Sequence, residues 1–162
     1  MLKRSIVLSG ALIGATALGL PQEENHGVPA VDAIVARQAS LDMSSITFRS
    51  MGEAIKAGRD AKSQGYPAAV LAKWAKALPR MFPAGSGQDE TSTFSQALPT
   101  IWRDRTGFEH VAANYADATA KLAALAAAND TVGFTKQLDE VNQACNSCHA
   151  RYKAGDQGPP RK

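Results

Sequence analysis

Aromatic residues make up only 6% of this 162-residue chain, cysteines number two, and charge of one sign is nearly absent in excess. With 44% hydrophobic residues and many alanines, the scarcity of rings tilts the expectation toward helices packed closely against one another. Setting Lys3 and Arg4 aside leaves 16 basic against 15 acidic groups, a balance that excludes the electrostatic footprint of a nucleic-acid binder. No apolar run reaches the ~20 residues of a membrane-spanning helix. There is no strand signal and no internal repeat, and the length suits one domain with one core.

What is present begins with the N-terminus. Met1-Leu2-Lys3-Arg4 is followed by sixteen uncharged apolar and small residues, SIVLSGALIGATALGL, and then by polar PQEENHG. That is the layout of a secretory signal peptide over residues 1–20. Ala17-Leu18-Gly19 offers small residues for cleavage, the cut falling somewhere between 19 and 30, and no cysteine is available there for lipid attachment. The expectation is a periplasmic protein with no membrane contact after signal removal.

Residues 31–153 read as an all-α domain, an antiparallel four-helix bundle, followed by a flexible tail over 154–162 that is rich in glycine and proline. A first helix is expected from Val31 to Lys56, with Ile34, Leu41, Phe48 and Ile55 at intervals of seven, and Gly58 ends it. A second apolar series, Val35, Ala39, Met43 and Ile46, predicts that this helix meets neighbours on two sides. A second helix spans Pro67 to Leu78, stopped by Pro79, and a loop of about twenty residues follows. The third runs unbroken from Ile101 to Asn129, and the fourth, capped by Thr131, to Tyr152.

Both cysteines lie in one stretch of that last helix, QACNSCHAR, residues 143–151. Residues three apart on a helix share a face, so Cys145, Cys148 and the adjoining His149 can address one flat object. Cys-X-X-Cys-His is the attachment signature of c-type haem: each thiol forms a thioether with a vinyl group and the histidine coordinates iron. A redox-active thiol pair is the first rival, but it belongs beside a strand-helix-strand unit, which this chain lacks. A zinc site assembled from Cys145, Cys148, His149 and His26 or His110 is the second, with a spacing that matches no familiar zinc pattern. A plain structural disulfide leaves the adjacent histidine unexplained.

From the motif's place near the C-terminus, the chain resembles the class II c-type cytochromes, which include cytochrome c prime and its low-spin relatives. Arg37-Gln38 in the first helix, ALPRMFPAGSG after the second and LPTIW before the third add to the resemblance, which covers roughly Val31 to Tyr152. It implies one covalently attached haem c and places Arg37 near a haem propionate. It puts the Phe82 and Trp102 regions at the bundle end.

The resemblance leaves the sixth position of the iron open. Four residues after Arg37 stands Leu41, which cannot bind iron and implies five-coordinate haem. The low-spin relatives use methionine, and the nearest is Met43. Leu41 and Met43 are turned about 200° apart on a helix, so only a bulge in the first helix brings Met43 to the iron. With Met43 as ligand the expectation is a periplasmic one-electron carrier meeting redox partner proteins. With Leu41 it is a binder of nitric oxide or carbon monoxide. A haem-free thiol-disulfide oxidoreductase is the third expectation. No spacing marks a nucleophile with its base, so no enzyme is expected. A homodimer through the first two helices is a further expectation of the resemblance.

Overall fold

Glycine and proline mark where the first two long helices of this chain end. The computed structural model describes residues 28–155; the expected signal segment, its cleavage region up to residue 27 and the tail beyond residue 155 lie outside the described residues. Helix α1 (Ala30–Lys56) stops where Gly58 adopts a left-handed φ of 81°, a conformation open to a residue without a β-carbon. Helix α2 (Gly65–Ala77) follows a short 3₁₀ turn, and the chain tightens into a second one over Leu78–Met81. Pro79, which has no N–H to give, falls in that turn.

The expected third helix is in fact two. Helix α3 (Thr100–Arg103) is a single turn, the backbone breaks at Asp104 (φ −117°, ψ 55°), and α4 runs Arg105–Ala127. The reason is the Asp104 side chain, which accepts from the Gly107 N–H at 3.1 Å and so starts a new helix inside an apolar series that never loses its phase. Helix α5 (Thr131–Tyr152) begins in the same way. Its cap is Asp130, accepting from the Gly133 N–H at 2.8 Å, whereas Thr131 uses its hydroxyl to accept from the Ala61 N–H at 3.0 Å. A β-carbon at Gly107 or Gly133 would crowd the capping carboxylate and force it to shift.

The long helices α1, α2, α4 and α5 form a four-helix bundle, and no strand occurs among the described residues. Helix α4 packs closely on both α2 and α5, α2 also meets α1, and α1 lies more loosely against α5. The main core gathers Met51, Leu71, Leu122, Phe134 and Val141, all at most 2% exposed. A smaller cluster of Ile101, Phe108, Val111 and Tyr152 closes the end of the bundle where α5 terminates. Phe108 stands edge-on to both Phe82 and Tyr152, with ring centres 5.0 and 5.3 Å apart. Among the described residues no helix is long and apolar enough to cross a membrane.

The first apolar series of α1 faces inward, with Ile34 fully buried and Leu41, Phe48 and Ile55 against the main core. The second, expected to meet a neighbour, is instead exposed among the described residues: Val35, Met43 and Ile46 are 55%, 66% and 60% exposed.

Candidate haem-attachment site

The inward seam of α5 runs through Phe134, Val141, Cys145, Cys148 and Tyr152, spaced by three, four and seven. Both thiols therefore sit on the core-facing side, half-buried, Cys145 against the main cluster and Cys148 against the one at the bundle end. They are free, not joined in a disulfide. Burial raises the Cys145 thiol, and burial together with the neighbouring Cys145 pushes Cys148 up to about 11. Such thiols stay protonated at neutral pH, the opposite of the stabilised thiolate that a thiol-disulfide oxidoreductase needs. His149, next along the helix, is exposed in the last turn and its carbonyl accepts from the Lys153 N–H at 3.1 Å.

That last turn is held from two sides. Asp104, besides capping α4, accepts from the Tyr152 hydroxyl at 2.8 Å and from Arg151 at 3.2 Å. The Thr100 hydroxyl donates to the Arg151 carbonyl at 3.1 Å, and Ala97 forms a bridge with Lys153. Sequence reasoning passed over Asp104; the Asp-X-X-Gly spacing repeated at Asp130 is the signal that could have found it.

Arg37 is drawn deep into the bundle end, 3% exposed. It donates to the Ser86 hydroxyl and the Ser95 hydroxyl, each at 2.7 Å, to the Ser86 carbonyl, and at 3.4 Å to the Met81 carbonyl. Its guanidinium also stacks over the Phe82 ring, 4.6 Å from the centre. All of these partners are neutral, and burial pulls the group down to about 10. A buried cation with no anion beside it among the described residues is costly, and an incoming carboxylate relieves that cost.

The structure does not bring Met43 to the site. Helix α1 is regular from Ala30 to Lys56, with no bulge, and Met43 points outward while Leu41 packs against the core cluster that also receives Cys145. His110 is exposed on α4, no cluster of three or more metal-binding side chains occurs among the described residues, and His26 lies outside them. Trp102 lies at the bundle end as expected, its indole donating to the Phe82 and Pro83 carbonyls at 3.3 and 3.1 Å. A groove of about 380 Å³ between α4 and α5 is lined by Asn114, Asp117, Lys121, Glu140 and Ser147. Ser147 is turned about 200° from His149, so this groove does not lie on the histidine's side of the helix.

Two thiols one turn apart on the core seam, a histidine adjoining them and a buried cation lacking an anion fit covalent haem, and fold and donor set together define a bundle-type c cytochrome. The sequence profile of the Cytochrome C' family matches residues 32–153, and the chain belongs to that family, whose cofactor is covalently attached haem c. Cytochrome c' of Rhodopseudomonas palustris is 31% identical over 150 residues, 88% of this chain and 93% of that protein. Cytochrome c-554 of Cereibacter sphaeroides is 34% identical over 98 residues, 60% of this chain, and the match spans 63% of the relative's length. Among solved structures, a ferrous arginine-to-lysine variant of cytochrome c prime from Alcaligenes xylosoxidans with bound nitric oxide superposes with a TM-score of 0.69 at 26% identity. The superposition covers 78% of this chain and 97% of that one.

Proposed function

We propose that the chain holds haem c through Cys145 and Cys148, with His149 as the iron ligand on one side and Leu41 over the other. In this reading iron stays five-coordinate, and the protein binds nitric oxide or carbon monoxide in the periplasm after export. The observation that carries it is the opposed orientation of Leu41 and Met43 on an unbroken helix. When bound, the haem supplies an iron centre that takes up a diatomic ligand at its sixth position. The chain's residues do the rest. The thiols tether and orient the ring, Leu41 lines the approach with an apolar surface that excludes water, and Arg37 offsets the charge of a haem carboxylate. The nitric oxide complex of the Alcaligenes protein supports the choice of ligand.

One-electron transfer with redox partner proteins is the second reading. It is favoured by the apolar setting of the thiols between two core clusters, because a closed shell limits reorganisation when the charge on iron changes. The outward series Val35, Ala39, Met43 and Ile46 carries no charge and supports pairing of two copies through α1. Acid-acetone extraction tests the attachment. Wild-type protein from a host able to attach c-type haem should keep its colour in the protein fraction, and Cys145→Ser with Cys148→Ser should lose it. A folded, colourless wild type contradicts both readings.

A further inference from the structure

His149 stands almost at the end of its helix. Only Ala150, Arg151 and Tyr152 follow it in α5, less than one turn, and the chain becomes extended at Lys153 (φ −115°, ψ 133°). A terminal turn left to itself frays, and its last carbonyls find no partner within the helix. On the N-terminal side α5 is secured by Phe134, Val141 and Cys145 against the main core. Beyond His149 the support comes from elsewhere in the chain.

That support is the segment from Ser95 to Asp104. The Leu98 N–H donates to the Tyr152 carbonyl at 3.0 Å and the Thr100 hydroxyl to the Arg151 carbonyl at 3.1 Å, which satisfies two of the terminal carbonyls. The Ala154 N–H donates to the Gln96 carbonyl at 2.8 Å, beside the bridge between Ala97 and Lys153. At the far end of the segment Asp104 accepts from the Tyr152 hydroxyl at 2.8 Å. The segment is itself fixed to α1. Ser95, 3% exposed, accepts through its hydroxyl from Arg37 at 2.7 Å and from the Ala97 N–H at 3.2 Å, and Gln38 donates to the Phe94 carbonyl at 3.0 Å. Trp102 ties its middle to the loop after α2 through the Phe82 and Pro83 carbonyls. Hydrogen bonds and backbone thus run without a break from Arg37 on α1 to the turn that bears His149.

We infer that residues 95–104 form a strut that fixes the direction in which His149 meets iron, with Ser95 and Asp104 as positioning residues. The inference rests on the reading of His149 as the iron ligand. The surroundings of a metal-bound histidine set the orientation of its ring. Cys145 and Cys148 both precede His149, so thioethers restrain the helix on one side of the ligand only. The strut restrains it on the other, because its bonds to α5 and the residues after it fall between Arg151 and Ala154.

The test is proton NMR of the haem protein reduced under carbon monoxide, which is diamagnetic whether the gas or a protein side chain fills the sixth position. Protons of an imidazole bound to iron lie over the haem, whose ring current moves them far from the signals of other histidines. In a protein that takes neither ligand, the unpaired electrons of iron set the same protons apart. The wild type should show one sharp set of His149 ring signals. Tyr152→Phe keeps the ring edge-on to Phe108 and removes only the hydroxyl, and it should shift or split that set, as should Ser95→Ala. Asp130→Ala, which removes the cap at the other end of α5, should lower the unfolding midpoint and leave the set in place.

Unchanged His149 signals in folded Tyr152→Phe and Ser95→Ala proteins overturn the inference. So does an equal displacement in Asp130→Ala, which would make it a matter of stability alone. Should the variants fail to fold, amide exchange in the wild type decides: the Lys153 and Ala154 N–H groups should be protected like those of the interior of α5, and exchange typical of a frayed end overturns the strut. A colourless wild type, or a red one without a histidine signal of this kind, overturns the reading of His149 itself. A red protein whose His149 signals ignore both strut variants overturns this inference alone.

Discussion

Leu41 and Met43, two residues apart on α1, serve opposite sides of the helix: Leu41 packs against the main core and Met43 is 66% exposed. A methionine so placed reaches the iron only if the helix is remade. Replacing Met43 by alanine is therefore expected to leave the absorption spectrum in both oxidation states unchanged and to alter stability by no more than about 0.5 kcal/mol. Loss of a far-red methionine-to-iron band in Met43→Ala would contradict this. Leu41→Met, in contrast, puts a thioether on the inward side and should convert the spectrum toward low spin and slow the binding of carbon monoxide.

Arg37 anchors the loop after α2 by bonds to Ser86 and Ser95 and by its stack on Phe82. Arg37→Gln should destabilise the protein by about 2–3 kcal/mol in urea unfolding, as charged hydrogen bonds are lost. Arg37→Lys should recover little of it, since an ammonium cannot span both serines and lie flat on a ring. Limited proteolysis should then cut between residues 82 and 99. Full stability in Arg37→Lys would mean that charge alone matters there.

Asp104 joins the start of α4 to the turn that carries His149. Asp104→Ala loses a helix cap and the acceptor for the buried Tyr152, and should cost about 2 kcal/mol. Added salt should make little difference to that cost, because the contact to Arg151 is exposed and contributes little. Hydrogen exchange should quicken in the last turn of α5. A cost near zero would show that the helix ends are held by packing alone.

Much of the fold was legible in the sequence because helix signals are local. The seven-residue spacing of Ile34, Leu41, Phe48 and Ile55 fixed the inward face of α1, and Gly58 fixed its end. The break at Asp104 was hidden because Ile101 and Phe108, seven apart, keep the phase of an unbroken helix across it. Thr131 and Asp130 are both good caps, and which one serves depends on Ala61, seventy residues away in the chain, claiming the threonine hydroxyl. At the site, Cys145, Cys148 and His149 could be read from their spacing. The neutral setting of Arg37 could not, because burial and missing partners are properties of the assembled bundle.

The outward apolar face of α1 is the surface proposed above for pairing with a second copy of the chain. Ile46→Glu places a charge in the middle of that apolar series and should shift sedimentation toward monomer while leaving the haem spectrum unaltered. Identical sedimentation of wild type and Ile46→Glu would contradict pairing through α1.

The central claim is an open iron position beneath Leu41, and absorption spectroscopy of the reduced haem protein before and after addition of carbon monoxide tests it most directly. The account predicts a high-spin ferrous spectrum that shifts sharply as the gas binds. A low-spin ferrous spectrum that carbon monoxide leaves unchanged would contradict it and return the sixth position to a protein ligand.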